Sequence, residues 1–263
     1  MNRAFLVGIN SYPGAPLRGC VNDVVDMANF LVNQCAFRKE EIRLLTDDRA
    51  TTAGIVERLN WLAKGLKKGD RVLFHYSGHG AQMATRNKKE EIDGLDEVIC
   101  PVDFDWSDAH AVRDKDFAKI FSAVPDGVEF VWVSDSCHSG DLSRDMSVKR
   151  AFPCPADFAW RNSAAENIKK TPLGLSKAAT SINAALLSGC KSDQTSADAM
   201  FANRSNGALT YFLLHELNKT GGKTQSLVNL VKSINASLKS HGYQQQPQLE
   251  GSPAIAKRGF LQK

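Results

Sequence analysis

Two continuous apolar runs, each ended abruptly by small polar residues, do most to set the architecture. Arg71-Val72-Leu73-Phe74-His75-Tyr76 runs into Ser77-Gly78-His79-Gly80. Val128-Glu129-Phe130-Val131-Trp132-Val133 runs into Asp135-Ser136-Cys137-His138-Ser139-Gly140. Runs rich in β-branched and aromatic residues suit strands covered on both faces, as in a parallel sheet. A third run, Ala4-Phe5-Leu6-Val7-Gly8-Ile9, opens the chain. In parallel sheets functional groups gather beyond the carboxyl ends of the strands. If the two motif-bearing strands are neighbours, His79 and Cys137 meet there despite their distance in sequence.

Helical periodicity fills the intervals. Val21, Val24, Val25, Ala28, Leu31 and Val32 recur at helical spacing over 21–35. Ile55, Leu59, Leu62 and Leu66 do so over 51–66, with Thr51 or Thr52 as N-cap. A short strand is expected at 41–45, and a hairpin or long active-site loop over 81–106. Further helices are expected at 114–124, 208–218 and 226–239, and further strands at 128–134 and 182–188. Residues 244–253 read as loop, with an edge strand over 255–261. Residues 142–181 lack a period and read as a long surface insertion. Strand–helix alternation without a repeat or linker gives one α/β domain over 1–263 with a mainly parallel sheet.

The 263 residues suffice for one large domain, and 43% hydrophobic with 24% charged residues is ordinary for a globular chain. The net charge of +4 is spread out, and its basic runs lack interleaved aromatics, which argues against nucleic acid. No run is long enough for a membrane span, and the first strand starts too early for a signal peptide. The six cysteines form no CxxC pair or compact disulfide framework. A reducing cytoplasm is expected, where a working thiol stays free.

Cysteine is common in cores. The strand-end position, the polar neighbours and a remote glycine-flanked histidine favour a nucleophile at Cys137. An imidazole lowers a thiol's pKa, and the thiolate attacks a carbonyl while the imidazole later protonates the leaving amine. Gly78 and Gly80 are expected to let the backbone turn, aiming the N–H groups of Gly80 and Cys137 at a developing oxyanion. Asp23 and Asp135 are candidate anchors for a cationic substrate group. His75 reads as a strand residue facing a packed layer, and Cys35, Cys100, Cys154 and Cys190 as ordinary thiols. Asp193 and Asp198 either shape the cleft or cap turns. Other chemistries fail on spacing: no glutamate follows His75 to make a zinc-binding helix, and no glycine-rich phosphate loop is present.

His75-Tyr76-Ser77-Gly78-His79-Gly80 and Asp135-Ser136-Cys137-His138-Ser139-Gly140 resemble the two catalytic signatures of the metacaspases, cysteine peptidases of the caspase fold. Leu17-Arg18-Gly19-Cys20-Val21-Asn22-Asp23, Asp93-Gly94-Leu95-Asp96-Glu97 and Leu187-Ser188-Gly189-Cys190-Lys191-Ser192-Asp193-Gln194-Thr195-Ser196-Ala197-Asp198 extend the match in order along the chain. The resemblance implies a caspase-like three-layer αβα sandwich, with His79 as general acid/base and Cys137 as nucleophile. It implies cleavage of polypeptides after Arg or Lys, with the pocket falling on Cys20, Asp23, Ser77 and Asp135. Two carboxylates in a cleft attract a guanidinium or ammonium and penalise an acidic side chain.

The dyad needs no cofactor. Many relatives bind Ca²⁺ through loop aspartates, and Asp96 and Asp114 align with two of those positions. Arg113 and Arg144 stand where two others are expected, with Asp145 one residue off; two matches do not make a hard-cation site, and Asp96 and Asp114 are kept as candidate Ca²⁺ ligands. The resemblance further implies a monomer and a catalytic unit without a prodomain. Lys149, Arg150, Arg161, Lys169 and Lys170 offer basic sites for self-cleavage, and the insertion beside an acidic pocket suggests an internal pseudosubstrate. The rival reading is a catalytically silent caspase-like scaffold that binds basic peptide segments.

Overall fold

The computed structural model describes residues 1–85, 95–137, 148–163, 183–190 and 196–262. In chain order the elements are β1 (Asn2–Gly8), α1 (Cys20–Gln34), β2 (Ile42–Thr46), α2 (Thr52–Ala63), β3 (Arg71–Ser77), β4 (Gly80–Ala84) and β5 (Leu95–Ile99). There follow β6 (Val112–Arg113), α3 (Asp114–Phe121), β7 (Glu129–Asp135), β8 (Val148–Lys149), α4 (Ala156–Ser163) and β9 (Ala185–Ser188). The chain ends with β10 (Ala197–Phe201), β11 (Arg204–Gly207), α5 (Ala208–Leu217), α6 (Leu227–Ser240), β12 (Gln248–Gly251) and α7 (Pro253–Ala256).

The main sheet has the order β12-β9-β7-β3-β1-β2, parallel throughout except for β12. Strand periodicity divides its side chains between two cores. Phe5, Val7, Val72, Phe74, Tyr76, Phe130 and Trp132 face one side, against Ile55, Leu59 and Leu62 of α2 and Phe117 and Phe121 of α3. Ala4, Leu6, Leu73, Val131 and Val133 face the other, against Val24, Met27 and Leu31 of α1 and the apolar faces of α5 and α6. Helices on both faces of a mostly parallel sheet make the three-layer αβα sandwich that the resemblance implies, around the mainly parallel sheet that the alternation predicts.

Of the two alternatives for 81–106, a hairpin or a long loop, the described residues form the hairpin β4-β5, and β6 extends it to a three-stranded antiparallel sheet. A second small sheet has the order β11-β10-β8. Thr51 caps α2 by accepting the Gly54 N–H through its hydroxyl. The C-terminal expectation is corrected. Residues 248–251 pair antiparallel with β9, whereas 253–256 begin a short helix with Pro253 in its first turn. Gln-Leu-Glu-Gly carries too little apolar signal to reveal an edge strand. Ile255, Phe260 and Leu261 are buried as core plugs, not strand residues. Among the described residues, no helix is long and apolar enough to cross a membrane.

Candidate active site

β3 and β7 are immediate neighbours, with Ser77 opposite Asp135, so His79 and Cys137 leave the same edge of the sheet. Gly78 is needed for close approach: a Cβ there would lie 2.5 Å from the Tyr12 hydroxyl and 2.7 Å from that of Tyr76. Neither Gly78 nor Gly80 takes a positive φ, so the turn expected of them rests on space at Gly78. Those two tyrosines hold the histidine backbone. The His79 N–H donates to the Tyr12 hydroxyl at 3.1 Å, and the Tyr76 hydroxyl donates to the His79 carbonyl at 2.6 Å.

The His79 ring has its Nε2 2.7 Å from the Ala15 carbonyl. A carbonyl only accepts, which assigns the proton of the neutral ring to Nε2 and leaves the lone pair on Nδ1. Nδ1 is buried and makes no hydrogen bond of ordinary geometry. Burial pushes the imidazole down to about 4, although the Ala15 and Arg150 carbonyls beside it favour its charged form. His79 is therefore neutral near pH 7. His75 is a buried strand residue as expected, with its Nε2 3.2 Å from the Thr210 hydroxyl.

Cys137 is fully buried at the end of β7. Its Sγ accepts the Ser196 N–H and lies 3.6 Å from the Ser196 carbonyl. Cys190 is no ordinary thiol in its placement: its Sγ is 3.7 Å from that of Cys137. Its own thiol is pushed up by hydrogen bonding to Cys137 and by burial. All six cysteines are free.

Cys20, Asp23, Ser77 and Asp135 come together, and Asp198 joins them. Each carboxylate is held by donors. Asp135 accepts from the Ser196 hydroxyl at 2.7 Å, and from the N–H and hydroxyl of Thr210, in the first turn of α5, at 2.8 Å each. Asp23 accepts from the Asn206 side chain at 2.9 Å and the Gly207 N–H at 3.0 Å. Asp198 accepts from the N–H groups of Arg18 and Gly19. Gly207 has no room for a Cβ, which would strike Asp135 and Arg150. Burial pushes Asp23 up to about 6, against the pull of Arg150, and burial also raises the Cys20 thiol.

The cleft is filled by the chain itself. Arg150 is completely buried, with Nη2 2.9 Å from Asp23 and 3.0 Å from Asp198, and Nη1 2.7 Å from the Ser77 hydroxyl and 3.3 Å from Asp135. Burial opposes its charge, yet the carboxylates hold the guanidinium well above its ordinary value. The Arg150 carbonyl accepts from Gly80 N–H at 2.9 Å and Cys137 N–H at 3.3 Å. The backbone is clasped on both sides of that carbonyl. Lys149 pairs antiparallel with Ala197, Arg150 N–H donates to Ser196, and Phe152 N–H donates to Gly80. Composition marked Arg150 as one basic site among several. Its burial among carboxylates from distant parts of the chain was not legible.

Of the two aspartates aligned with a calcium site, Asp96 is already paired with cations. Asp96 is buried, with Arg113 Nη1 2.7 Å and Lys115 Nζ 2.9 Å from its two oxygens, and Arg113 also pairs with Asp108. Asp114 is buried at the start of α3 and accepts the Lys115 N–H. At Asp96 two cations already sit on the oxygens that a hard cation needs. Among the described residues no cluster of three or more His, Cys, Asp or Glu side chains could hold a metal. Asp93, His138, Arg144, Asp145, Lys169, Lys170 and Asp193 lie outside the described residues, as does the side chain of Arg161.

Residues 2–144 match the family model "Metacaspase, peptidase C14 domain". Metacaspase-1B of Neurospora crassa is 33% identical over 95% of this chain and 66% of its own length. Metacaspase-1 of Scheffersomyces stipitis is 34% identical over 95% of this chain and 70% of its own. The crystal structure of protein GSU0716 from Geobacter sulfurreducens superposes with a TM-score of 0.73 and 28% identity, covering 99% of this chain and 98% of that one. The chain thus spans about two thirds of the length of these two fungal relatives. It belongs to the metacaspases, a family of cysteine-type peptidases.

Proposed function

We propose that the chain is a cysteine endopeptidase that cuts after Arg or Lys, with Cys137 as nucleophile and His79 as general base and acid. The observation that carries this reading is Arg150, whose guanidinium lies among Asp23, Asp135 and Asp198 while its carbonyl accepts from Gly80 and Cys137. A substrate's basic residue takes the same position: three carboxylates and the Ser77 hydroxyl recognise the cation, and bidentate geometry favours Arg over Lys.

In the reaction, neutral His79 takes the Cys137 proton and the thiolate attacks the carbonyl carbon. The two backbone N–H groups hold the oxyanion as charge develops. The imidazolium then gives its proton to the departing amine as the C–N bond breaks. Water, deprotonated by His79, hydrolyses the thioester. The dyad itself needs no metal ion, and at Asp96 the cations Arg113 and Lys115 already balance the charge. The free cysteines support a reducing, cytoplasmic setting, and a monomer presents a complete site within one chain.

A peptidyl acyloxymethyl ketone tests the reading, since it alkylates a thiolate only when its side chain docks beside it. An Arg-terminated reagent is expected to label Cys137 by peptide mapping, and an Asp-terminated one to leave it unmodified. Equal labelling by both, or none at Cys137, contradicts the proposal.

A further inference from the structure

Resting on that reading of the site, we infer a second specificity pocket on the leaving-group side. Tyr12, Phe104 and Trp106 take a bulky aromatic side chain two residues after the cut bond. If Arg150 occupies the position before that bond, Ala151 follows it and Phe152 is the second residue beyond. The Phe152 backbone is bound as a substrate's would be, its N–H donating to the Gly80 carbonyl at 2.8 Å, while Ala151 bridges in parallel to Gly80.

The Phe152 ring sits in an aromatic cluster. Its centroid is 5.7 Å from Tyr12 and 5.2 Å from Phe104, both edge-on, and 6.4 Å from Trp106. It also meets His79 edge-on at 5.4 Å, so the pocket adjoins the catalytic imidazole. Such edge-to-face contacts select a flat ring over a polar or small side chain. The walls are buried and held from behind. Tyr12 donates to the Cys100 carbonyl at 2.8 Å, the Phe104 N–H donates to Pro101, and the Val102 N–H donates to Ala50. Trp106 has a φ of +67°, a conformation that bulky residues rarely adopt and that directs its ring into the cluster. Trp106 also packs against Phe158, with centroids 5.3 Å apart. Tyr12 also holds the His79 backbone, but nothing in the acylation chemistry requires Phe104 and Trp106 beside it, and substrate recognition gives them a use.

Internally quenched peptides test the pocket. They carry Arg-Ala across the cut bond followed by Phe, Leu, Ser or Asp, beside an Arg-coumarin amide that cannot reach the pocket. Burying one aromatic ring predicts a kcat/KM about tenfold or more higher for Phe than for Ser. In Trp106→Ala, and separately Phe104→Ala, the Phe:Ser ratio falls to about two or less. Taking the ratio within each protein cancels differences in the amount of folded enzyme and in displacement of residues 149–152. A wild-type ratio near one overturns the pocket and needs no variant. So does a ratio unchanged in both variants. Cleavage of the coumarin amide alongside a flat peptide series rejects the aromatic pocket alone. Failure to cleave the coumarin amide or any peptide rejects the underlying peptidase reading, and the pocket with it.

Discussion

Arg150 and Asp23 form an ion pair of 2.9 Å in which neither side chain is exposed to solvent. A pair this buried is stable only while both partners remain, since removing one strands the other's charge. Here the arginine belongs to the segment that fills the cleft, and the aspartate to the first turn of α1. The same pocket cannot hold Arg150 and a substrate's arginine together.

Arg150→Ala therefore separates two effects. It abolishes any cut between Arg150 and Ala151, and it raises the initial rate on a separate Arg-containing peptide, because an intramolecular ligand competes at an effective concentration of about millimolar. Intact mass and initial rates, compared with the wild type and with Cys137→Ala, check this. A wild-type fragment pattern and wild-type rates in Arg150→Ala contradict it.

Asp198 is expected to contribute to basic selectivity although it lies on β10, outside the two catalytic motifs. Asp198→Asn removes one charged acceptor and is expected to lower kcat/KM for Arg peptides by about 10- to 100-fold. Hydrolysis of Arg and Lys peptides measures the loss, and an unchanged Arg rate excludes the role.

Acid weakens recognition through Asp23. Burial raises its carboxyl to about 6, so it is ionised at pH 7 and gains a proton as pH falls through that value. The raised value means that the neutral form is the one favoured by burial, and a neutral carboxyl loses its charge attraction for the incoming cation. The kcat/KM for Arg peptides is expected to fall below about pH 6, largely through KM. Asp23→Asn lowers the rate and loses that limb of the pH profile. A wild-type profile flat through pH 6 to 5 contradicts the assignment.

Calcium removal leaves turnover unchanged if Arg113 and Lys115 balance Asp96. A chelator is expected to alter the rate by less than about twofold. Arg113→Ala lowers stability by about 1–3 kcal/mol by depriving buried Asp96 of its 2.7 Å partner. Thermal melting reports the stability change. A rate that collapses in chelator and returns with Ca²⁺ overturns this assignment.

What could be read from the sequence follows from where the information lies. The strands β3 and β7 are continuous apolar runs that announce burial on both faces, and their polar ends mark His79 and Cys137. Asp23 and Asp135 stand within ordered motifs. The role of Arg150 depends on carboxylates at 23, 135 and 198 converging in space, and local composition carries no trace of that. Cys190 looked like any core thiol because its 3.7 Å approach to Cys137 follows from the pairing of β7 with β9. The edge strand β12 was hidden by its polar residues. The aromatic cluster around Phe152 draws on separate loops, at Tyr12 and at Phe104 and Trp106, with no shared period.

The most direct measurement of the central claim is steady-state hydrolysis of otherwise identical fluorogenic peptides ending in Arg, Lys or Asp, by wild type and Cys137→Ala. The predicted order is Arg above Lys, no turnover of the Asp peptide, and no turnover at all by Cys137→Ala. Turnover that survives loss of the Cys137 thiol, or an Asp peptide cut as well as the Arg one, contradicts the account.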